Sequence, residues 1–193
     1  MQRSSFAGQQ CPVARSLDCV GEWWSIVILR DAFHGLSRFD EFQASLGIAT
    51  NMLSRRLKAL VKNGLLERQP YQQRPTRYAY MLTARGRDFL PVILALVAWG
   101  NRHLAREGVA VEVCDRATGR SVRPVVVDSR TRNLLTADTI SLRAGPAAGA
   151  RIRARVARVA GSRLRATPPG AGSSRRAPAK QRRRRIANRE PRA

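Results

Sequence analysis

Thr50, Asn51, Ser54, Arg55 and Lys58 fall on the polar side of the segment ATNMLSRRLKALVKNG, residues 49–64, and no carboxylate stands among them. All five side chains can donate hydrogen bonds. In bidentate geometry Arg matches the major-groove edge of guanine and Asn that of adenine. Either can instead bind phosphate, which fixes register without reading sequence. A solvated surface helix ordinarily mixes signs, because Glu–Lys pairs four residues apart each add about 0.2–0.5 kcal/mol. A face without such pairs is either an accident of sequence or the meeting place for a negative partner. Arg56 lies nearer the apolar side, where a structural salt bridge and contact with that partner are equally open to it.

Cys11 is the second group with chemistry in reach. It directly precedes Pro12, which suits the first turn of a helix. At such a cap the helix N-terminus stabilises a thiolate, and Arg15 one turn on adds positive charge. A thiol so placed reacts readily with oxidants and electrophiles; the other reading is an inert capping residue. Cys19 is expected to be buried in the helix and Cys114 to lie in a strand, both structural.

The elements that must position these groups follow from periodicity. Leu53, Leu57 and Leu60 recur at spacings of four and three, one apolar seam of a helix that Gly64 ends. Before it, PVARSLDCVG (12–21) has a helical pattern, and EWWSIVILRDAF (22–33) reads as a buried central helix. Ser37 is placed to cap RFDEFQASLG (38–47), whose Phe39, Phe42 and Leu46 make one face. Two helices joined by the short connection Gly47–Ala49 form the helix-turn-helix pattern.

LLERQPY (65–71) and TRYAYMLT (76–83) alternate like strands, with QQRP (72–75) between them as a turn: a β-hairpin with a basic tip. Thr83 then caps a long helix, ARGRDFLPVILALVAWGNRHLARE, which Pro91 should bend.

Residues 109–145 hold short strand-like runs and a thirteen-residue self-similarity, VCDRATGR against VVDSRTRN. Each copy is a strand followed by Asp-x-x-Thr, a turn signal. Two copies are too few for a solenoid, so a small β-hairpin extension is expected. From 146 onward the Arg, Ala, Pro and Gly content, with hardly any aromatic residue, predicts a disordered tail to residue 193. Residues 1–10 are expected to be a flexible N-terminus.

Composition narrows the function classes. The formal net charge is +23, a balance that favours nucleic acid or an anionic surface as partner. Residues 146–193 carry 15 basic residues and one acidic residue, so most of the excess lies in the tail. Three cysteines without ligand spacing give neither a disulfide framework nor a zinc site. His34 and His103 are expected at helix ends, without metal. Trp23 and Trp24 are expected in the core rather than stacked on bases. No Ser-His-Asp, Cys-His or paired-carboxylate arrangement and no phosphate loop stands out, so neither an enzyme nor a cofactor is expected. The longest apolar run, FLPVILALVAWG, is about half the roughly 20 residues that span a bilayer. No membrane partner is expected, and the N-terminus lacks the apolar core of a secretory signal. A cytoplasmic, nucleoid-associated protein is expected.

CPVARSLDCVGEWWSIVILRD, SRFDEF, GIATNMLSRRLKALVKNGLLER, RPTRYAYMLTARGRDFLPVILAL and WGNRH follow one another here as they do in the HxlR-type winged helix-turn-helix regulators. The chain resembles that family from residue 11 to about 106. The resemblance implies a mainly α fold with a small β-wing, the winged domain spanning 11–108. Longer members carry a β-rich extension after the last helix, which suits 109–145, and the basic tail lies outside the resemblance. It implies a bacterial transcription regulator that dimerises through its first and last helices and binds a double-stranded DNA operator. The residues so placed on DNA are Arg38, Thr50, Asn51, Ser54, Arg55, Arg56 and Lys58, with Arg74, Thr76 and Arg77 on the wing. Some members sense oxidants or electrophiles through a cysteine at the place of Cys11, which makes a small-molecule or oxidant effector an expectation here. The competing reading is a nonspecific architectural DNA- or RNA-binding protein that works through its Arg-rich tail.

Overall fold

The computed structural model describes residues 6 and 8–160. The elements are α1 (Pro12–Val20), α2 (Trp23–Phe33), α3 (Phe39–Leu46), α4 (Thr50–Lys62), β1 (Leu66–Gln73), β2 (Thr76–Leu82), α5 (Ala84–Arg87), α6 (Leu90–His103), β3 (Val113–Cys114), β4 (Ser121–Val122) and α7 (Ala150–Ala160).

One core organises the first four helices and the root of the hairpin. Ile28 and Leu29 of α2, Phe42 of α3, Leu53, Leu57 and Leu60 of α4, Leu65 just before β1 and Leu66 at its start pack together with Val20 and Ile48. The seam of α4 is fully buried, so the helix's roll about its axis is fixed by apolar burial, at roughly 1.5–3 kcal/mol per leucine. Gly47, at φ 58°, lets the chain leave α3 in a left-handed turn that few side chains tolerate. Asp31, almost wholly buried, accepts from Ser45 Oγ at 2.7 Å and pairs with Arg30, tying α2 to α3.

β1 and β2 pair antiparallel from Leu66↔Leu82 to Gln73↔Thr76, with an irregularity between Pro70 and Gln72. Arg38 bridges Ala79, and the Tyr80 N–H donates to the Ser37 carbonyl at 2.7 Å, so the chain entering α3 lines β2. β1 is thereby left as an outer strand, where Pro70 can sit without costing a ladder bond. Thr83 closes the root of the hairpin. Its hydroxyl donates to the Gly64 carbonyl at 2.6 Å and accepts from the Gly86 N–H at 3.0 Å.

Several expectations need correction. Ser37 does not cap α3. Arg38 occupies that position, and the Glu41 carboxylate accepts from the N–H groups of both residues at 2.8 Å. These N–H groups and the nearby Arg38 charge hold the Glu41 carboxyl below its ordinary pKa. Pro91 does not bend one long helix: the chain breaks at Asp88–Phe89, and Pro91 falls in the first turn of α6, where its missing N–H costs nothing. Trp23 is not in the core but 74% exposed, whereas Trp24 packs against it. Cys19 is half-buried, with the Arg85 guanidinium 3.8 Å from its sulfur.

The extension is two small hairpins in tandem rather than one. β3 pairs with β4, and Val127 bridges Leu134. The self-similarity has a common geometry. Asp115 Oδ1 accepts from the N–H groups of Ala117 and Thr118, and Asp128 Oδ1 from that of Arg130. Each Asp also closes its turn through the backbone, Asp115 with Gly119 and Arg120, Asp128 with Arg132 and Asn133. The weaker third run, 134–142, adds only the bridging residue Leu134 and a turn at Thr136–Ile140.

Disorder from residue 146 is also corrected, because α7 is helical over 150–160. Residues 161–193 and the first five residues, on which the rest of the tail and N-terminus expectations fall, lie outside the described residues.

Candidate nucleic-acid interface

With Leu53, Leu57 and Leu60 turned inward, the opposite face of α4 is committed to solvent. Thr50, Asn51, Arg55 and Lys58 are exposed along it and Ser54 is half-exposed beside them. Gln43 Nε2 donates to Thr50 Oγ1 at 2.9 Å, fixing the N-terminus of α4 against α3. Nothing in the sequence flags that Gln, since it is one polar residue among several on a short helix.

Arg56 departs from this group. Its Nη2 lies 3.1 Å from Glu22 Oε2, at the entry to α2, and its side chain is only 15% exposed. Of the two roles open to it, the structure gives the salt bridge. It therefore stands apart from the exposed face of α4, because the 100° step from Arg55 turns it toward α2.

The hairpin places Arg74 at its tip, with Thr76 and Arg77 following on β2, all exposed. Thr76 Oγ1 donates to the Gln73 carbonyl at 3.0 Å and Gln72 Nε2 to the Arg74 carbonyl at 3.0 Å, which stiffens the turn. Two cations, one at the cap of α3 and one on β1, ride over aromatic faces of the hairpin. The Arg38 guanidinium lies 4.6 Å from the centre of the Tyr71 ring, and that of Arg68 lies 4.9 Å from the centre of Tyr78. Such contacts are worth about 0.5–1 kcal/mol at exposed sites. Arg68 did not stand out in the sequence. The signal for it is the hairpin register, which makes it a diagonal neighbour of Tyr78 across the strands.

Cys11 sits at the N-cap of α1 and is 8% exposed. The N–H of Ala14 is the largest influence holding its thiol below the ordinary cysteine range, followed by the Arg155 guanidinium, with the Val13 N–H adding to them against the cost of burial. Arg155 Nη2 donates to the sulfur at 3.5 Å. The expected cation, Arg15, donates instead to the Gln9 carbonyl. The positive partner thus comes from α7, 144 positions away in the chain.

Away from this region, His34 and His103 stand at the ends of α2 and α6. Among the described residues no group of three or more His, Cys, Asp or Glu could hold a metal ion, and no helix is long and apolar enough to cross a membrane. The outward side of α6 is apolar: Val92, Leu96 and Trp99, at spacings of four and three, are exposed, as are Val13 and Leu17 of α1.

Comparison with known proteins agrees with this geometry. The HxlR-like helix-turn-helix family description matches residues 19–108. The HTH-type transcriptional regulator Rv3095 of Mycobacterium tuberculosis is similar at 38% identity over 135 residues, which is 69% of this chain and 85% of the relative. Among solved structures, PA1374 from Pseudomonas aeruginosa, a proposed transcription factor, is 55% identical with a TM-score of 0.55, covering 75% of this chain and 99% of its own. PA1607, also a proposed transcription factor, is 37% identical with a TM-score of 0.66, covering 72% and 99%. A 135-residue match is longer than the 19–108 segment. Even one beginning at Met1 runs well past Gly108, so the matched stretch takes in part of residues 109–145. The chain belongs to the HxlR-like helix-turn-helix family of transcriptional regulators.

Proposed function

We propose that the protein is a homodimeric, sequence-specific regulator that binds double-stranded operator DNA, with Cys11 as the thiol through which an oxidant or electrophile modulates it. The observation that carries the reading is the exposed, carboxylate-free face of α4, held outward by a fully buried leucine seam. In a winged helix this element enters the major groove, where base edges and phosphates supply what the face lacks. Arg55 and Asn51 are the base-reading candidates, while Thr50, Ser54 and Lys58 hold phosphates or neighbouring edges. Arg74, Thr76 and Arg77 contact the adjacent backbone or minor groove, and Arg38 the backbone beside them.

The dimer is supported by the apolar row Val92, Leu96 and Trp99 together with Val13 and Leu17. Exposed apolar rows of that kind mark a partner site. A second copy packed there would set two α4 helices on half-sites about 34–36 Å apart. Modification of Cys11, at the start of α1, would then add bulk or charge beside this interface and change the spacing of two rigid helices.

The test is selection of bound fragments from a genomic library by the purified protein, with light scattering at micromolar concentration. A dimer that enriches one near-palindromic motif supports the reading. A monomer, or recovery without any shared motif, overturns it.

A further inference from the structure

The α7 segment, ARIRARVARVA, does not belong to the winged domain, yet it is joined to it. Gln10 is the clasp: its Nε2 donates to the Ala147 carbonyl at 3.2 Å and its Oε1 accepts from the Gly149 N–H at 2.7 Å. Arg155 adds the contact with the Cys11 sulfur. Ile152 and Val156, four apart, are the half-buried residues of the helix, while Arg151, Arg153, Arg155 and Arg158 are exposed.

At 100° per residue, Arg151, Arg155 and Arg158 fall within one narrow arc, a row about 10 Å long on the flank of the apolar stripe. No acidic residue occurs anywhere from Thr139 to Arg189. Among the described residues none forms a salt bridge with Arg151, Arg153 or Arg158. Four arginines within eleven positions repel one another, and like charges at i,i+4 cost a few tenths of a kcal/mol each. An isolated helix this short is marginal even without that repulsion. A row of guanidiniums without carboxylate partners on a DNA-binding domain complements the charge of a phosphate backbone.

We infer that α7 is a second DNA contact, a docked arginine row that binds the phosphate backbone of duplex DNA outside the site read by α4 and the wing. It raises affinity for any sequence and carries no base preference, because guanidinium–phosphate contacts position without specifying. The inference stands apart from the role given to α4, since it needs only that the protein binds duplex DNA.

The experiment uses the full chain and a 30-base-pair duplex of mixed sequence, titrated by fluorescence anisotropy from 50 to 200 mM salt. The variant is Arg151→Gln with Arg158→Gln, which leaves Arg155 on Cys11 and substitutes a residue of similar helix propensity. Each phosphate contact contributes about 0.9 to the slope of log K against log salt. The variant is expected to flatten the slope by about 1.8 per protomer. Its deficit relative to wild type then shrinks about 12-fold across that fourfold salt range. Arg151→Lys with Arg158→Lys should keep the wild-type slope, showing that charge rather than shape is at work.

An unchanged slope in the Gln variant overturns the inference, as does a loss seen with a 30-nucleotide single-stranded RNA and absent from the duplex. Arg55→Ala, titrated on the same duplex and on the selected operator, keeps the two readings distinct. If it alone behaves as wild type on both, the α4 reading fails and the α7 inference stands.

Discussion

Arg55 and Arg56 are neighbours in the chain that point about 100° apart, one to solvent and one to Glu22, so truncating each to Ala should separate DNA affinity from stability. The Arg56–Glu22 pair is 3.1 Å long, with side chains 15% and 28% exposed. At an effective dielectric of about 20, unit charges at this distance attract by about 5 kcal/mol. Desolvation of the two groups takes back most of that. The net loss on Arg56→Ala is therefore expected to be about 2 kcal/mol, including packing of the arginine stem between α2 and α4. For a domain of about 100 residues this lowers Tm by about 10 °C. Arg55 is exposed and forms no ion pair among the described residues. Arg55→Ala should change stability by less than about 0.5 kcal/mol. It should weaken operator binding by about 1–3 kcal/mol, roughly 5- to 150-fold, and relax base preference at one position. Thermal melts followed by circular dichroism and anisotropy titrations on the selected operator measure both quantities. If Arg56→Ala melts like wild type while losing operator affinity, or Arg55→Ala does the reverse, the roll assigned to α4 is wrong.

Three further outcomes are expected. Leu96→Glu, at the centre of the exposed row of α6, should convert a dimer to a monomer in light scattering and leave the monomer folded; a dimer that persists refutes the interface. Folding favours the Cys11 thiolate, so the stability it contributes is present above the ordinary thiol pKa of about 8.5 and is lost as pH falls through the lower folded value. Reaction of the Cys11 thiolate with a small thiosulfonate, which forms a mixed disulfide and expels sulfinate, should accordingly have its rate midpoint below that of a free model thiol, with Arg155→Ala moving it up; coincident midpoints refute the cap argument. Gly86→Ala should destabilise the domain by about 3 kcal/mol in urea unfolding, because its Cβ would collide with the Leu65 carbonyl oxygen; a loss below about 1 kcal/mol means that the close approach of α5 to the chain at Leu65 is dispensable.

Much of the winged domain was legible because local signals and burial agree there. The leucine seam of α4, the left-handed turns at Gly47 and Gly64, and the alternation of the two wing strands each specify one conformation, and the core selects the same one. The donors on α4 followed directly: a helix whose seam is buried has no choice about which residues it exposes. The Asp-x-x-Thr turns of the extension were equally local, since their hydrogen bonds close within a few residues.

What the sequence left open depends on partners distant in the chain. Arg56 was ambiguous on a helical wheel until Glu22 of another element came within 3.1 Å. The charge beside Cys11 was assigned to Arg15 on nearness in sequence, whereas Arg155 supplies it after a whole domain has intervened. By composition α7 reads as disordered tail; docking through Gln10 supports a helix that would be marginal alone. Local spacing decides which face of a helix is polar, and only the assembled fold decides which of those polar groups is already engaged, because ion pairs and clasps form between elements that no periodicity relates.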